Sequence, residues 1–172
     1  MYVFSEKSTS HAISRPSYRE ILAGDIVQLN LSAKVDGYSP SIGYPVCVGK
    51  LTPEKREIVT FGLEAHRWTE KQLKAGVPAA RIASDFYKMF CDRGHKDHFV
   101  YGPCHGIGMI EVEAPWMEST STYDLKPNMT FQIDTFVSGS TFGIRWEKGV
   151  VITQDGFASL CPPIGEIYEL DV

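Results

Sequence analysis

The 172-residue sequence lacks a long hydrophobic run, and no apolar stretch approaches the roughly 20 residues that cross a bilayer. Its start, MYVFSEKSTS, does not have the basic-then-apolar order of a signal peptide, so we do not expect one. No run of five like charges occurs, and the formal net charge is −4. We therefore expect neither a membrane nor a nucleic acid among its partners.

Cysteine is also sparse, since the four cysteines stand singly and form no CxxC pair. With 43% apolar and 12% aromatic residues, a chain of this length can fill a core without disulfides, so we expect a reducing, cytoplasmic location. Cys104 stands beside His105, but neighbours in a loop seldom point at each other. A cysteine nucleophile is therefore not expected.

The first half of the sequence predicts a β-hairpin. Residues 26–35 alternate apolar and polar side chains, which is typical of a half-buried strand with one polar face. Asp36-Gly37 is a strong hairpin signal, and residues 38–48 return as a second strand. With a two-residue turn, Asn30 lies opposite Gly43, and Asn30 and Ser41 become diagonal neighbours about 7–8 Å apart.

The rest of the chain predicts two helices followed by strands, which makes the whole an α+β fold with mostly antiparallel pairing. One amphipathic helix is predicted between Thr52 and Gly76 and another between Pro78 and Gly94. Both should lie on one side of the sheet. Further strands are predicted at 99–101, 128–137, 144–153 and 157–161.

Polar side chains that carry chemistry occur on these later strands and in a glycine-rich bend, GPCHGIG. His105 lies in the bend, where backbone can approach a ligand closely. Asp134 and Glu147 lie on the strands, and together with Asn30 and Ser41 they could converge on one surface. Spacing alone leaves open that each is an ordinary solvated residue.

Three segments resemble the pita-bread peptidase superfamily, which includes aminopeptidase P, prolidase, methionine aminopeptidase and creatinase. Residues 24–58, 101–115 and 143–156 contain the Gly-Asp turn, the DGY hairpin, the HGIG bend and the final acidic strand in the family's order. The resemblance covers about residues 16–160. It implies the pita-bread fold, with helices on one side of a mostly antiparallel sheet.

The family's domain consists of two similar halves, and the resemblance assigns the chain to them unequally. Residues 1–50 correspond to a remnant of the first half, which looks truncated because no helices precede its strands. Residues 51–172 correspond to the second half. An apolar sheet face that those helices would cover is an association surface, so we expect a homo-oligomer.

Family peptidases hold two divalent metals with two aspartates, a histidine and two glutamates. The resemblance places these ligands at Asn30, Ser41, His105, Asp134 and Glu147, so that two carboxylates are lost. Asp134 and Glu147 offer −2 against the +4 of two ions. The resemblance therefore favours a site without a cofactor. One divalent metal (Mn, Zn or Co) on His105, Asp134 and Glu147 is the alternative.

Creatinase hydrolyses a C–N bond without metal, through histidine and glutamate. The resemblance then implies His105 and Glu147 as catalytic residues, with His11 as a second candidate histidine. The residues implied to bind a small peptide-like or amidino substrate are Asn30, Ser41, Tyr101, Asp134 and Arg145.

Three functions stay open at this point. The first is a creatinase- or Xaa-Pro peptidase-like hydrolase without a dinuclear metal centre. The second is an inactive module that binds a peptide or a protein partner, and the third is an Xaa-Pro aminopeptidase or prolidase metallopeptidase. A pocket filled by side chains such as Tyr44, Tyr101 or Trp146 would favour the second.

Overall fold

A single β-sheet with two helices packed on it organises the computed structural model, which describes residues 1–15, 17–163 and 165–171. The strands are β1 (Tyr2–Ser5), β2 (Ile26–Ser32), β3 (Ser41–Val48), β4 (Cys104–Gly106), β5 (Glu113–Trp116), β6 (Thr130–Val137), β7 (Ile144–Ile152), β8 (Phe157–Ser159) and β9 (Tyr168–Leu170). The helices are α1 (Pro53–Gln72) and α2 (Ala79–Asp92), and short 3-10 helices span Glu6–Ser10 and Lys96–His98. The strand order is β1-β2-β3-β7-β6-β4-β5, with β8 beside β7 and β9 beside β3.

The hairpin of β2 and β3 has the predicted register, with Asn30 opposite Gly43. Asp36 and Gly37 have φ angles of 48° and 95°, and two successive positive φ values are what the favoured two-residue hairpin turn requires. The first strand of the hairpin, β2, is shorter than the predicted range of 26–35 and ends at Ser32. The hairpin therefore brings Asn30 and Ser41 to the same face of the sheet, as expected.

Both predicted helices are present on one side of the sheet, which confirms the predicted fold class. The Thr52 side chain accepts a hydrogen bond from the backbone N–H of Lys55 and so caps α1. Gly62 allows α1 to approach β7 closely, because a Cβ there would lie 2.2 Å from the Ile144 side chain and 3.2 Å from Trp146. Neither helix, within the residues described, is apolar and long enough to span a membrane.

The prediction of a strand at residues 99–101 is wrong. Phe99 instead packs on Phe86, Tyr87 and Phe90 of α2, and this aromatic cluster holds the segment in an irregular conformation. The strand predicted at 157–161 ends at Ser159. Strands β1, β4, β5 and β9 were not predicted, since each has only three or four residues and little alternation, and β4 lies within the segment predicted as a glycine-rich bend.

The polar side of β2 is buried, and its apolar side is partly exposed. Gln28 and Asn30 are buried, whereas Leu31 is 39% exposed and Val35, beyond the strand, is 67% exposed. A half-buried strand usually exposes its polar side and buries its apolar side. Here the arrangement is the opposite, because α1 packs behind β6 and β7 and not behind the tip of the β2-β3 hairpin. The expected homo-oligomer stays a prediction.

Candidate functional site

A cavity of about 460 Å³ lies on the face of the sheet that the helices leave free. Side chains alternate along β7, so Trp146 and Lys148 face α1 while Arg145 and Glu147 face the cavity. Six of the predicted site residues line the cavity: Ser41, Tyr101, His105, Asp134, Arg145 and Glu147. The seventh, Asn30, is buried beside it.

The floor of the cavity is built on two adjacent carboxylates. Asp134 of β6 lies directly opposite Glu147 of β7 in the antiparallel ladder, so the register alone places both groups on one face. The Arg145 guanidinium forms ion pairs with both: its Nε is 3.1 Å from Asp134 Oδ1, and its Nη1 is 3.5 Å from Glu147 Oε1. A buried cation thus compensates the two buried acids.

Tyr101 completes this charged cluster. Its hydroxyl lies 3.0 and 2.9 Å from the two oxygens of Asp134, to which it donates, and it accepts a hydrogen bond of 2.8 Å from Arg145 Nη2. Burial, together with the charge of Asp134, raises the pKa of Tyr101, which keeps the hydroxyl protonated as a donor. Burial opposes the charge of Arg145, yet its anionic neighbours hold its pKa above the usual value.

Asn30 and Ser41 both donate to Glu147. The Asn30 side-chain amide bonds to Glu147 Oε2, and the Ser41 hydroxyl donates to the same oxygen at 2.8 Å. Gly43 lies between Asn30 and Glu147 across three strands, and a Cβ there would be 2.7 Å from Asn30 Nδ2 and 3.0 Å from Glu147 Cβ. Asn30 does not line the cavity but holds Glu147 through this hydrogen bond, and its role in substrate binding stays a prediction.

Two buried glutamines, which the sequence did not single out, tie the site strands together. Gln28 Oε1 accepts from the backbone N–H of Arg145 at 2.8 Å, and its Nε2 donates to the Arg145 carbonyl at 3.0 Å. The β3-β7 register would place Pro45 opposite Arg145, and proline has no N–H for the ladder. Gln132 bonds in the same double manner to the backbone of Ser41. In the sequence, Gln28 stands two positions before Asn30 and Gln132 two positions before Asp134, so each glutamine shares a strand face with a predicted site residue. This spacing was the signal that could have indicated them.

His105 presents one nitrogen of its imidazole to the acidic floor. Its Nδ1 lies 3.0 Å from the carbonyl oxygen of Gly106, which assigns the proton to Nδ1. Nε2 then carries the lone pair and lies 4.0 Å from Asp134 Oδ2. Among the described residues no donor bonds to this nitrogen. His11, the second candidate, is exposed and does not line the cavity, although Ile13 does.

Glu147 titrates close to neutral pH. Burial raises the pKa of its carboxyl to about 7, and the nearby charge of Asp134 adds to the rise, whereas Arg145 and the Ser41 hydrogen bond oppose it. A carboxyl with such a pKa can hold or release a proton under physiological conditions.

We expect this carboxyl to make stability fall as pH rises. Its pKa is higher in the folded protein than its ordinary value of 4.5, so the folded state binds the proton more tightly than the unfolded chain. The free energy of unfolding should therefore decrease between pH 4.5 and 7, by about 3 kcal/mol from this group. Urea unfolding at pH 5.0 and 7.5 measures the change.

The Glu147→Gln variant should lose this part of the pH dependence, because glutamine does not titrate. Glu64→Gln, an exposed carboxyl on α1, is the matched control and should behave like wild type. Parallel pH curves for wild type and Glu147→Gln would contradict the raised pKa.

The side chains present do not fit a pair of divalent metals. Asp134 already contacts Arg145 and Tyr101, and Glu147 contacts Arg145, Asn30 and Ser41. Both carboxylates are therefore surrounded by hydrogen-bond donors. Asn30 and Ser41 are weak neutral ligands in place of anionic ones. Across residues 1–15, 17–163 and 165–171, no group of three His, Cys, Asp or Glu side chains is arranged to hold a metal.

Comparisons with known proteins agree with the fold. Residues 2–154 match the profile of Metallopeptidase family M24. The chain is 27% identical over 167 residues to an Xaa-Pro dipeptidase from Lactobacillus delbrueckii subsp. lactis, and 28% identical over 141 residues to one from Pyrococcus furiosus. These alignments cover 96% and 81% of the chain but only 45% and 40% of the two relatives.

A solved structure shows the same arrangement of strands and helices. The X-Pro aminopeptidase from Thermotoga maritima MSB8 superposes with a TM-score of 0.91 at 25% identity, over 98% of this chain and 48% of that protein. The chain thus spans less than half the length of each of these three proteins.

Proposed function

The chain belongs to metallopeptidase family M24, and we propose that it is a hydrolase of a small peptide-like or amidino C–N bond that needs no dinuclear metal centre. The observation that carries the proposal is the position of Arg145. Its guanidinium lies between Asp134 and Glu147 and supplies positive charge at the two remaining carboxylates of the family's ligand set. The alternative of one metal on His105, Asp134 and Glu147 would need Arg145 and Tyr101 to move away.

In this proposal His105 moves the protons. Its Nε2 faces the cavity without a hydrogen-bond donor among the described residues, so it can accept a proton from a water molecule that attacks the substrate. Asp134 Oδ2, at 4.0 Å, stabilises the imidazolium that forms. The protonated form of Glu147, whose pKa is about 7, donates to the leaving nitrogen.

An inactive binding module receives less support from the cavity. Two of the side chains that could have filled it lie elsewhere: Trp146 is buried against α1, and Tyr44 packs on Tyr168. Tyr101 forms a wall and leaves the cavity open. Both relatives are named Xaa-Pro dipeptidase, so dipeptides with a peptide bond before proline are the first substrates to test. Amidino compounds are the second.

Turnover by the chain after removal of metal tests the proposal. The protein is dialysed against a chelator and incubated with a panel of Xaa-Pro dipeptides and amidino compounds, and products are measured by mass spectrometry. We expect hydrolysis of at least one compound, and we expect His105→Gln to lower its rate at least about a hundredfold, because general acid–base catalysis contributes that much. His11→Gln, at the exposed histidine, should leave the rate unchanged.

Two results would contradict the proposal. Activity that appears only with added Mn²⁺, Zn²⁺ or Co²⁺ would favour the metallopeptidase. Ligand binding without turnover of any compound would favour the inactive module.

A further inference from the structure

The cavity carries more negative charge than its floor can neutralise. Four of the charged side chains that line it are acidic and one is basic: Glu111, Glu118, Asp134, Glu147 and Arg145. Arg145 is already paired with Asp134 and Glu147. Glu111 and Glu118 have no ion-pair partner within the described part of the chain. Two carboxylates therefore remain uncompensated where the cavity opens to solvent.

An exposed tryptophan lines the same cavity as these carboxylates. Trp116 is 48% exposed, although large aromatic side chains usually have most of their surface buried. The β4-β5 pairing places it opposite His105, and the two ring centroids are 6.0 Å apart. An indole face attracts guanidinium and ammonium groups, most strongly where other side chains limit access of water.

An unpaired ring nitrogen at the floor also indicates a ligand. His105 is only 7% exposed, and its Nε2, which faces the cavity, bonds to no donor among the described residues. Its ring lies next to both the acidic floor and Trp116. The volume of about 460 Å³ suits a small organic molecule. The cavity thus offers a proton acceptor at its floor and an aromatic, acidic region at its mouth.

We propose that the mouth of this cavity binds an organic cation, a guanidinium or a substituted ammonium group, against the indole of Trp116, with Glu111 and Glu118 supplying the opposite charge. The inference rests on the proposed function only in making this cation part of the substrate, whose scissile bond then lies near His105. Binding of the cation itself does not require turnover.

NMR titration of the ¹⁵N-labelled chain tests the site. The probes are methylguanidinium and tetramethylammonium chloride, and N-methylurea and tert-butanol are the neutral analogues of similar shape. We expect saturable shifts of the Trp116 indole N–H and of amides in residues 111–118 with the cations, and at least tenfold weaker binding of the neutral analogues. The Trp116→Leu spectrum identifies the indole signal.

Variants separate the two parts of the site. Trp116→Leu and Glu111→Gln/Glu118→Gln should each weaken cation binding at least tenfold, read from the amide shifts, while the spectrum outside the cavity stays that of wild type. Glu20→Gln/Glu54→Gln makes the same change in net charge at exposed positions and should bind like wild type. Comparing the two cations decides between guanidinium and ammonium.

The outcomes distinguish this inference from the proposed function. Equal binding of cations and neutral analogues, or cation binding that neither variant weakens, would overturn the cation site. Hydrolysis of N-acetylated dipeptides, which carry no ammonium group, by a chain that binds no cation would overturn it too, and would leave the proposed hydrolase intact. Cation binding without any turnover would support the site and contradict the hydrolase.

Discussion

Changing Asn30 and Ser41 together to aspartate should make the fold depend on divalent metal. Both side chains now donate to Glu147, and aspartates would replace these donors with anions next to two carboxylates that share only Arg145. Buried charges without partners cost about 3–5 kcal/mol. In a chelator we expect the melting temperature to fall by about 10 °C.

Divalent metal should reverse this loss, because the double variant has regained the four carboxylates that balance two ions. The measurements are thermal unfolding with chelator and with Mn²⁺, Zn²⁺ or Co²⁺, and the metal content by elemental mass spectrometry. Wild type should show neither a shift in melting temperature nor bound metal. The control variant Asn128→Asp/Ser140→Asp adds the same charges at exposed positions and should not respond to metal.

Two metals in each wild-type chain would refute the argument from charge. One metal per chain, lost in Glu147→Gln, would instead establish a mononuclear site on His105, Asp134 and Glu147.

Removing the positive charge of Arg145 should destabilise the protein strongly. Arg145→Met keeps much of the volume but leaves Asp134 and Glu147 side by side, buried and without a cation. It also removes the donor to the Tyr101 hydroxyl. Breaking a buried ion pair from one side typically costs about 3–5 kcal/mol, and we expect a loss of this size at pH 7.5.

The loss from Arg145→Met should become smaller at pH 5, where Glu147 is protonated and less repulsion remains. Urea unfolding at both pH values measures it, with Arg81→Met on the exposed face of α2 as the control. A loss below about 1 kcal/mol, or one that does not change with pH, would show that Arg145 does not compensate the two acids. Arg145→Lys should recover only part, since lysine cannot reach both carboxylates with a planar fork.

Local signals in the sequence determined the parts of the structure that depend on neighbouring residues. Asp36-Gly37 and the alternation around it determined the register that joins Asn30 to Gly43, because a two-residue turn leaves one pairing. Thr52 and Pro53 determined the start of α1 in the same way. The family's motifs indicated which side chains belong to the site, although not what they contact.

The tertiary structure alone decided how those side chains are paired. Asn30 meets Glu147 across 117 positions of sequence, and it does so because Gly43 leaves the space between them. Trp116, in a four-residue strand with no clear pattern, becomes a cavity wall only through its pairing with His105. Local propensity acts over a few residues, whereas the position of Arg145 between two acids depends on the register of strands that are distant in sequence. That register is set by the packing of the whole sheet.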